Sequence, residues 1–170
     1  DVAVTGVQTC ALPISAYGPI TAGPHGLAFV ALRMITGDSR PIYLNKPEAR
    51  ETIRPSRKRN LASAPVKFSI APVLKARTEA SWETIFEQAD DGMHARIVRL
   101  GAGMAVDGPD PRRAGGYYVF VGNGSMVNDG EDLPLWSMAV VEPTEERVEI
   151  RAGDEGLEAL VLEYPRETQD

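Results

Sequence analysis

The second half of the chain is a series of short β-prone runs separated by glycine-containing turns, and this pattern constrains the fold most. None of the runs continues with the period of a helix. The segments between them include the sequences DDG, GNG, NDG and AGDEG, which favour tight turns because glycine adopts a positive φ easily. The predicted strands are residues 82–86, 93–100, 117–121, 125–127, 135–141, 147–151 and 157–164.

Strands this short, spaced by about ten residues, predict an all-β sandwich or barrel. Apolar and charged residues alternate over 147–151, so Val148 and Ile150 should face a core while the charges face water. Residues 157–162 are apolar on both faces. We therefore expect this last strand to be covered on both sides.

Composition narrows the class of protein. With 170 residues and 43% hydrophobic content, the chain can form one well-packed domain with additional segments. A formal net charge of −6 disfavours general attraction to nucleic acid or anionic membranes. No apolar run approaches the roughly 18 residues of a membrane span. One cysteine provides no disulfide framework, so we expect a cytoplasmic protein.

The first 15 residues, DVAVTGVQTCALPIS, do not have the features of a signal peptide. The run begins with Asp1, and Thr5, Gln8 and Thr9 interrupt its apolar part. Residues 4–14, VTGVQTCALPI, resemble the in-frame translation of a common short-read sequencing adapter. We expect residues 1–15 to be non-native, with the true N-terminus further upstream, and exclude Cys10 from the chemistry.

The chain repeats a short pattern. Residues 20–34 align without gaps on residues 150–164, with six identical positions, and both copies predict a β-hairpin. If the repeat is real, the first copy closes an earlier, truncated domain. The predicted organisation is then a hairpin over 16–34, a basic, proline-rich connector over 35–75, a complete domain over 76–166 and a tail over 167–170.

The connector is expected to be extended, with one short helix over 47–53, and to lie on an acidic neighbour. Its basic run RPSRKR, residues 54–59, resembles a nucleic-acid patch. It lacks the nearby aromatic residues on which bases stack, so we interpret it as a solvated linker.

Three runs resemble the cupin superfamily of RmlC-like jelly rolls: GGYYVFVGNGSMV at 115–127, LWSMAVVEP at 135–143 and VEIRAG at 148–153. Cupins have a Tyr/Val-rich strand ending in a glycine turn, then a Gly-Asp-x-Val-x-x-Pro strand, then a closing strand. Here Ser137 stands where glycine is usual. The resemblance covers about residues 77–166 and implies a jelly-roll barrel; together with the repeat it implies a two-cupin chain.

The resemblance also says where a cupin metal would be held. Metal-binding cupins carry His-x-His and Glu before the Tyr/Val strand and a further His after the proline. The corresponding stretches, 107–116 and 144–147, contain no histidine, and the chain has only His25 and His94. We predict no transition-metal site and no cofactor. Asp107 and Asp110 are interpreted as turn formers rather than ligands of a hard cation.

A metal-free enzyme is one alternative. Sugar epimerases of this family use a His paired with a carboxylate as base and a Tyr as acid. The resemblance makes His94, with Asp90 or Asp91, and Tyr117 or Tyr118 the candidate catalytic residues. Imidazole suits such a role because it titrates near neutral pH.

A binding protein is the function we favour from the sequence, either for a small molecule or as a structural unit, with a homodimer as a further option. Such a pocket would be lined by Tyr118, Phe120, Met126, Trp136 and Met138. The pattern leaves open whether Tyr118 and Phe120, or Tyr117, Val119 and Val121, face the interior. Whether the chain is an enzyme also stays open. The alternatives are an epimerase-type enzyme and a metal-dependent two-cupin enzyme whose active half is missing.

Overall fold

The computed structural model describes residues 61–166 continuously, together with positions 22–24, 26, 30, 32, 47 and 51. These fall into two units that divide after Leu61, and each is described by itself. In the first unit, Gly23 and Gly26 form an isolated β-bridge within the predicted 16–34 hairpin. Residues 1–15 with Cys10, most of the hairpin and connector including His25, and the tail lie outside the described residues.

The second unit is an antiparallel sheet of seven strands, which confirms the all-β, jelly-roll-like class. A short helix, α1 (Ala71–Lys75), precedes the first strand in the sequence, and a 3-10 turn (Pro111–Arg113) lies between the third and fourth strands. The strands are β1 (Ser81–Phe86), β2 (His94–Leu100), β3 (Ala105–Asp107), β4 (Tyr117–Asn128), β5 (Glu131–Leu133), β6 (Met138–Val141) and β7 (Glu149–Glu163). No helix among the described residues is long and apolar enough to cross a membrane.

Strand β7 lies at the centre of the sheet. Its first part pairs with β3 and with the end of β4, and its second part pairs with β2 and with the start of β4. The outer neighbours are β1 next to β2, and β5 and β6 next to β4. All the remaining strands of the described sheet therefore pair with β4 or β7, except β1, which is joined through β2.

The structure corrects the prediction of turns inside these long strands. GNG at 122–124 and the AGDEG run at 152–156 lie within β4 and β7, so the predicted hairpin over 150–164 is instead part of one strand, Glu149–Glu163. The β4–β7 register shifts on both sides of Gly124. Gly124 (φ 71°) faces Gly156 (φ 86°), and a Cβ on Gly124 would lie 2.0 Å from the Gly156 carbonyl oxygen. These glycines permit bulges in two paired strands, and bulges bend a sheet without ending it.

The inner face of the bent sheet holds the main core. Tyr117, Val119 and Val121 of β4 point into it, which settles the orientation that the sequence left open. Ile150 is fully buried there and Val148 packs against it, as the alternation predicted. The remaining buried members come from β2, β4, β6 and β7: Val98, Leu100, Met126, Val141, Ala152, Leu157, Ala159 and Val161.

The outer face carries a smaller cluster. Ile97, Phe120 and Leu160 are buried there beneath Val66 and Phe68 from the segment before α1. The Phe68 ring occupies the space where a Cβ of Gly122 would lie. The expectation that β7 is covered on both sides is confirmed, because Leu157 faces the inner core and Leu160 the outer one.

A buried carboxylate fixes the segment before α1 to the outer face. Glu158 is 0% exposed and accepts four hydrogen bonds: Ser69 N at 2.8 Å, Ser69 Oγ at 2.9 Å, Asn123 Nδ2 at 2.7 Å and Arg99 Nε at 2.9 Å. A buried charge is tolerated when it is paired and hydrogen-bonded in this way. Glu158 therefore joins three separate parts of the unit.

Helix α1 packs against β7. Leu74 is buried next to Gly156, and Lys75 Nζ lies 2.6 Å from Glu155 Oε1 on the surface. That hydrogen bond raises the pKa of Lys75 above its usual range. Exposed pairs of this kind contribute little to stability, so the buried Leu74 holds the helix in place.

We expect Gly124→Ala to destabilise the domain strongly, because the new methyl group would collide with the Gly156 carbonyl in addition to straining a positive φ. The matched control is Gly103→Ala. Gly103 has a similar φ of 68° but open space around its Cβ position, so only the backbone strain of about 1–2 kcal/mol should appear. Urea unfolding of both variants measures the difference. Equal losses of stability would contradict the proposed close approach.

Candidate functional site

A polar row crosses three neighbouring strands on the inner face of the sheet. His94 of β2 is in register with Glu163 of β7, and Glu163 is in register with Tyr117 of β4. Directly paired residues point to the same side, so all three side chains share the face that carries Val119 and Val161. The row lies at the end of β7, where the inner core gives way to charged side chains.

Glu163 is the centre of the cluster. Its side chain is 4% exposed, and one oxygen, Oε2, accepts from His94 Nδ1 at 3.0 Å and from Arg96 Nη2 at 3.1 Å. Arg96 precedes Val98 on the same face of β2 and is in register with Val161. The carboxylate is thus neutralised by a basic neighbour and fixes two side chains beside each other.

Arg96 has unused hydrogen-bonding capacity. Its guanidinium lies 4.5 Å from the centre of the Trp82 ring, a cation–π contact, and its side chain is 22% exposed. Nε is buried without a hydrogen-bond partner. Within residues 61–166, Nη2 is the one guanidinium nitrogen with an acceptor, namely Glu163. The guanidinium can therefore donate further hydrogen bonds.

His94 is similarly held on one side. Its side chain is 14% exposed, and no described residue hydrogen-bonds its Nε2. A carboxylate is an acceptor only, so Nδ1 donates to Glu163. In the neutral ring, Nε2 then carries the lone pair and can accept a proton or a hydrogen bond.

Tyr117 is 1% exposed, and its hydroxyl has no hydrogen-bond partner within residues 61–166. The hydroxyl lies where a Cβ of Gly108 would collide with it. Burial raises the pKa of Tyr117, and the nearby backbone N–H of Val148 offsets this in part, although its geometry falls short of a full hydrogen bond. Tyr117 shares the polar row while its hydroxyl points towards Gly108, so the structure does not place it as an acid opposite His94.

The predicted pocket residues lie on both faces of the sheet. Phe120 contacts Trp136 edge to face at 5.8 Å and is in register with Met138. Tyr118 shares this outer face and contacts Tyr164 at 5.2 Å. Met126, in contrast, is in the inner core. The structure therefore places four of the five residues on the outer face of the sheet and separates Met126 from them.

Strand β6 is exposed on one face. Met138 and Val140 point outward beside Leu135 and Trp136, and Trp136 is 39% exposed at a φ of 75°, a conformation rarely adopted by a bulky residue. Within the described sheet β6 pairs only with β4. The predicted homodimer stays a prediction.

The predicted acidic turn residues have local partners. Asp110 accepts from Arg112 N at 3.1 Å, Asp107 lies 4.0 Å from Arg147, and Asp91 accepts from Met93 N at 3.1 Å. Within the part of the chain that the structure describes, no three His, Cys, Asp or Glu side chains are grouped so that they could hold a metal.

Sequence reasoning identified His94 but missed Arg96, Glu163 and Trp82. The carboxylate that His94 contacts belongs to β7, 69 residues further along the chain, and not to the adjacent DDG turn. Two signals were available. His94 and Arg96 are two residues apart and so share one face of a strand, and Glu163 interrupts an otherwise apolar strand end.

No protein-family profile matches the chain, and no curated protein matches it. The crystal structure of Rhodobacter sphaeroides SigE in complex with the anti-sigma ChrR is similar at a TM-score of 0.41 and 13% identity, over 52% of this chain and 47% of that one. This chain thus spans about half the length of that neighbour.

A second solved structure, a protein of unknown function from Rhizobium leguminosarum bv. viciae 3841, is similar at a TM-score of 0.40 and 20% identity. The match covers 59% of this chain and 97% of that one.

Among the tyrosines of residues 61–166, Tyr117 and Tyr164 should ionise late in the native protein. Burial raises the pKa of both Tyr117 and Tyr164, and for Tyr164 the neighbouring Tyr118 adds to the rise. The unfolded chain loses these protons first, near pH 10, so this contribution to stability is complete below about pH 10 and is lost as pH rises through the folded pKa values.

A phenolate absorbance titration of the native chain tests this. Tyr117→Phe and Tyr164→Phe should each remove one late-ionising phenol. If all five phenols of the native chain ionise together near their ordinary pKa, the burial of these hydroxyls is contradicted.

Proposed function

We propose that the protein is a cupin-like small-molecule-binding protein whose ligand site is the inner-face cluster of Trp82, His94, Arg96 and Glu163. The fold supports this proposal, because jelly-roll sheets commonly bind ligands on the concave face. The observation that most supports the proposal is that Glu163 binds His94 and Arg96, whose remaining side-chain nitrogens have no hydrogen-bond partner in residues 61–166.

A purely structural role explains these residues less well. A buried donor without an acceptor costs about 1–3 kcal/mol, and a buried ion pair can often be replaced by apolar residues without loss of stability. Arg96 Nε carries this cost, and Arg96 Nη1 and His94 Nε2 have no partner in residues 61–166, which fits a site that a ligand completes. Trp82 and the core row behind it provide the apolar wall of such a site.

A thermal-shift screen against small polar metabolites tests the proposal. A ligand present at 100 times its Kd stabilises by about 2.7 kcal/mol, which raises Tm by several degrees in a domain of this size. Arg96→Gln should abolish the shift. The matched control Arg112→Gln, which removes an exposed arginine of the 3-10 turn, should retain it. A shift that survives Arg96→Gln would place the ligand elsewhere.

A second candidate function, proton transfer by a metal-independent enzyme, is supported by the His94–Glu163 pair. A carboxylate on Nδ1 orients the imidazole, and Nε2 of the 14% exposed ring is left for a substrate. Abstraction of a proton next to a carbonyl group is the step this pair could perform. The binding function needs only the same cluster without turnover.

Deuterium exchange separates the two functions. If His94 is a base, the protein should catalyse incorporation of deuterium from D2O beside the carbonyl of a keto sugar such as fructose 6-phosphate. His94→Asn should then lower the rate by about 10²–10⁴-fold. A folded protein that binds ligands but gives no exchange above background is a binding protein.

A further inference from the structure

We infer that the ligand of this site is a short hydroxy acid, which offers an anionic oxygen to Arg96 and a hydroxyl group to His94. This inference rests on the proposed function and specifies its ligand class. The structure provides two partly exposed basic side chains of different character beside one buried carboxylate. A ligand that satisfies both must carry an acceptor and a donor close together.

The arginine requires the anionic oxygen. Arg96 is always charged, has five N–H donors and uses one of them on Glu163. Nη1 has no acceptor in residues 61–166 and Nε is buried without one. Carboxylate and phosphate oxygens are the acceptors whose geometry matches a guanidinium fork. The ligand oxygen binds on the exposed side of the guanidinium, away from Glu163, whose side chain is only 4% exposed.

The histidine requires the hydroxyl. Its Nδ1 is held by Glu163, so the neutral ring presents a lone pair at Nε2. A hydroxyl hydrogen is the complement of that lone pair. A simple carboxylate offers only further acceptors and leaves Nε2 unsatisfied.

The spacing of the two side chains keeps the ligand small. His94 and Arg96 are two residues apart on one strand, about 6.5 Å between Cα atoms, and both reach the same Glu163 oxygen. Their unused nitrogens are therefore neighbours on one face. A hydroxyl one or two carbons from the acid group can contact His94 while the acid contacts Arg96.

Three matched three-carbon probes test the inference: glycerate carries both groups, propionate only the carboxylate and glycerol only hydroxyls. Binding is followed by fluorescence in Trp136→Phe, which leaves Trp82, under the Arg96 guanidinium, as the sole tryptophan. Calorimetry on the unmodified chain gives the same Kd values without relying on that substitution. We expect glycerate to bind at least about tenfold more tightly than propionate, and glycerol not to bind.

The variants assign the groups. Arg96→Gln should abolish binding of both acids, and Arg112→Gln should leave it unchanged. His94→Asn should reduce the affinity for glycerate to that for propionate. Each variant's fold is checked by its urea midpoint, so that loss of binding is read only from folded protein.

The outcomes separate this inference from the proposed function. Equal affinities for glycerate and propionate overturn the hydroxyl assignment, and binding of glycerol as tight as that of glycerate overturns the anion assignment. If no probe binds but the thermal-shift screen yields a neutral ligand that depends on Arg96, the proposed function stands and this inference falls. If neither experiment yields a ligand at this cluster, both fall.

Discussion

The pairing of β4 with β7 is the constraint on which the rest of the described unit depends. Two long strands stay hydrogen-bonded across a bend because Gly124 and Gly156 approach more closely than any side chain would allow. The bend gives the sheet an inner face, and the unbroken register on one side of it brings His94, Glu163 and Tyr117 into one row. Both the core and the candidate site follow from this one backbone contact.

Strand β7 carries two buried carboxylates, Glu158 and Glu163, whose partners differ in how completely they are hydrogen-bonded. Glu158, on the outer face, accepts four hydrogen bonds and joins Ser69, Asn123 and Arg99. Glu163, on the inner face, holds two basic groups whose other nitrogens have no partner among the described residues. A saturated network fixes structure, whereas an unsaturated one at a partly exposed edge can be completed by a ligand. The contrast within one strand supports assigning them different roles.

The sequence was sufficient to predict the all-β class and the burial of Ile150 on one face of its strand. Both predictions rest on local signals, namely the alternation of apolar and charged residues and the presence of turn-forming residues. It misplaced the strand ends, since the same glycines that favour a turn also permit a bulge, and only the pairing partner distinguishes the two. Of the four residues of the site, the sequence indicated only His94. His94 was noticed because histidine is rare in this chain, but Glu163 joins it through a register that no local pattern specifies.

The central position of β7 has a consequence for how the protein is made. Strand β3 pairs only with β7 in the described sheet, and β2 lies between β1 and β7. However, β7 is the last of the seven strands in the sequence. During synthesis the β1–β2 ribbon and the β4–β5–β6 group can form early, but their inner edges stay open until β7 leaves the ribosome. The nascent chain therefore exposes unpaired strand edges until β7 is synthesised, and such edges are prone to pair with other chains.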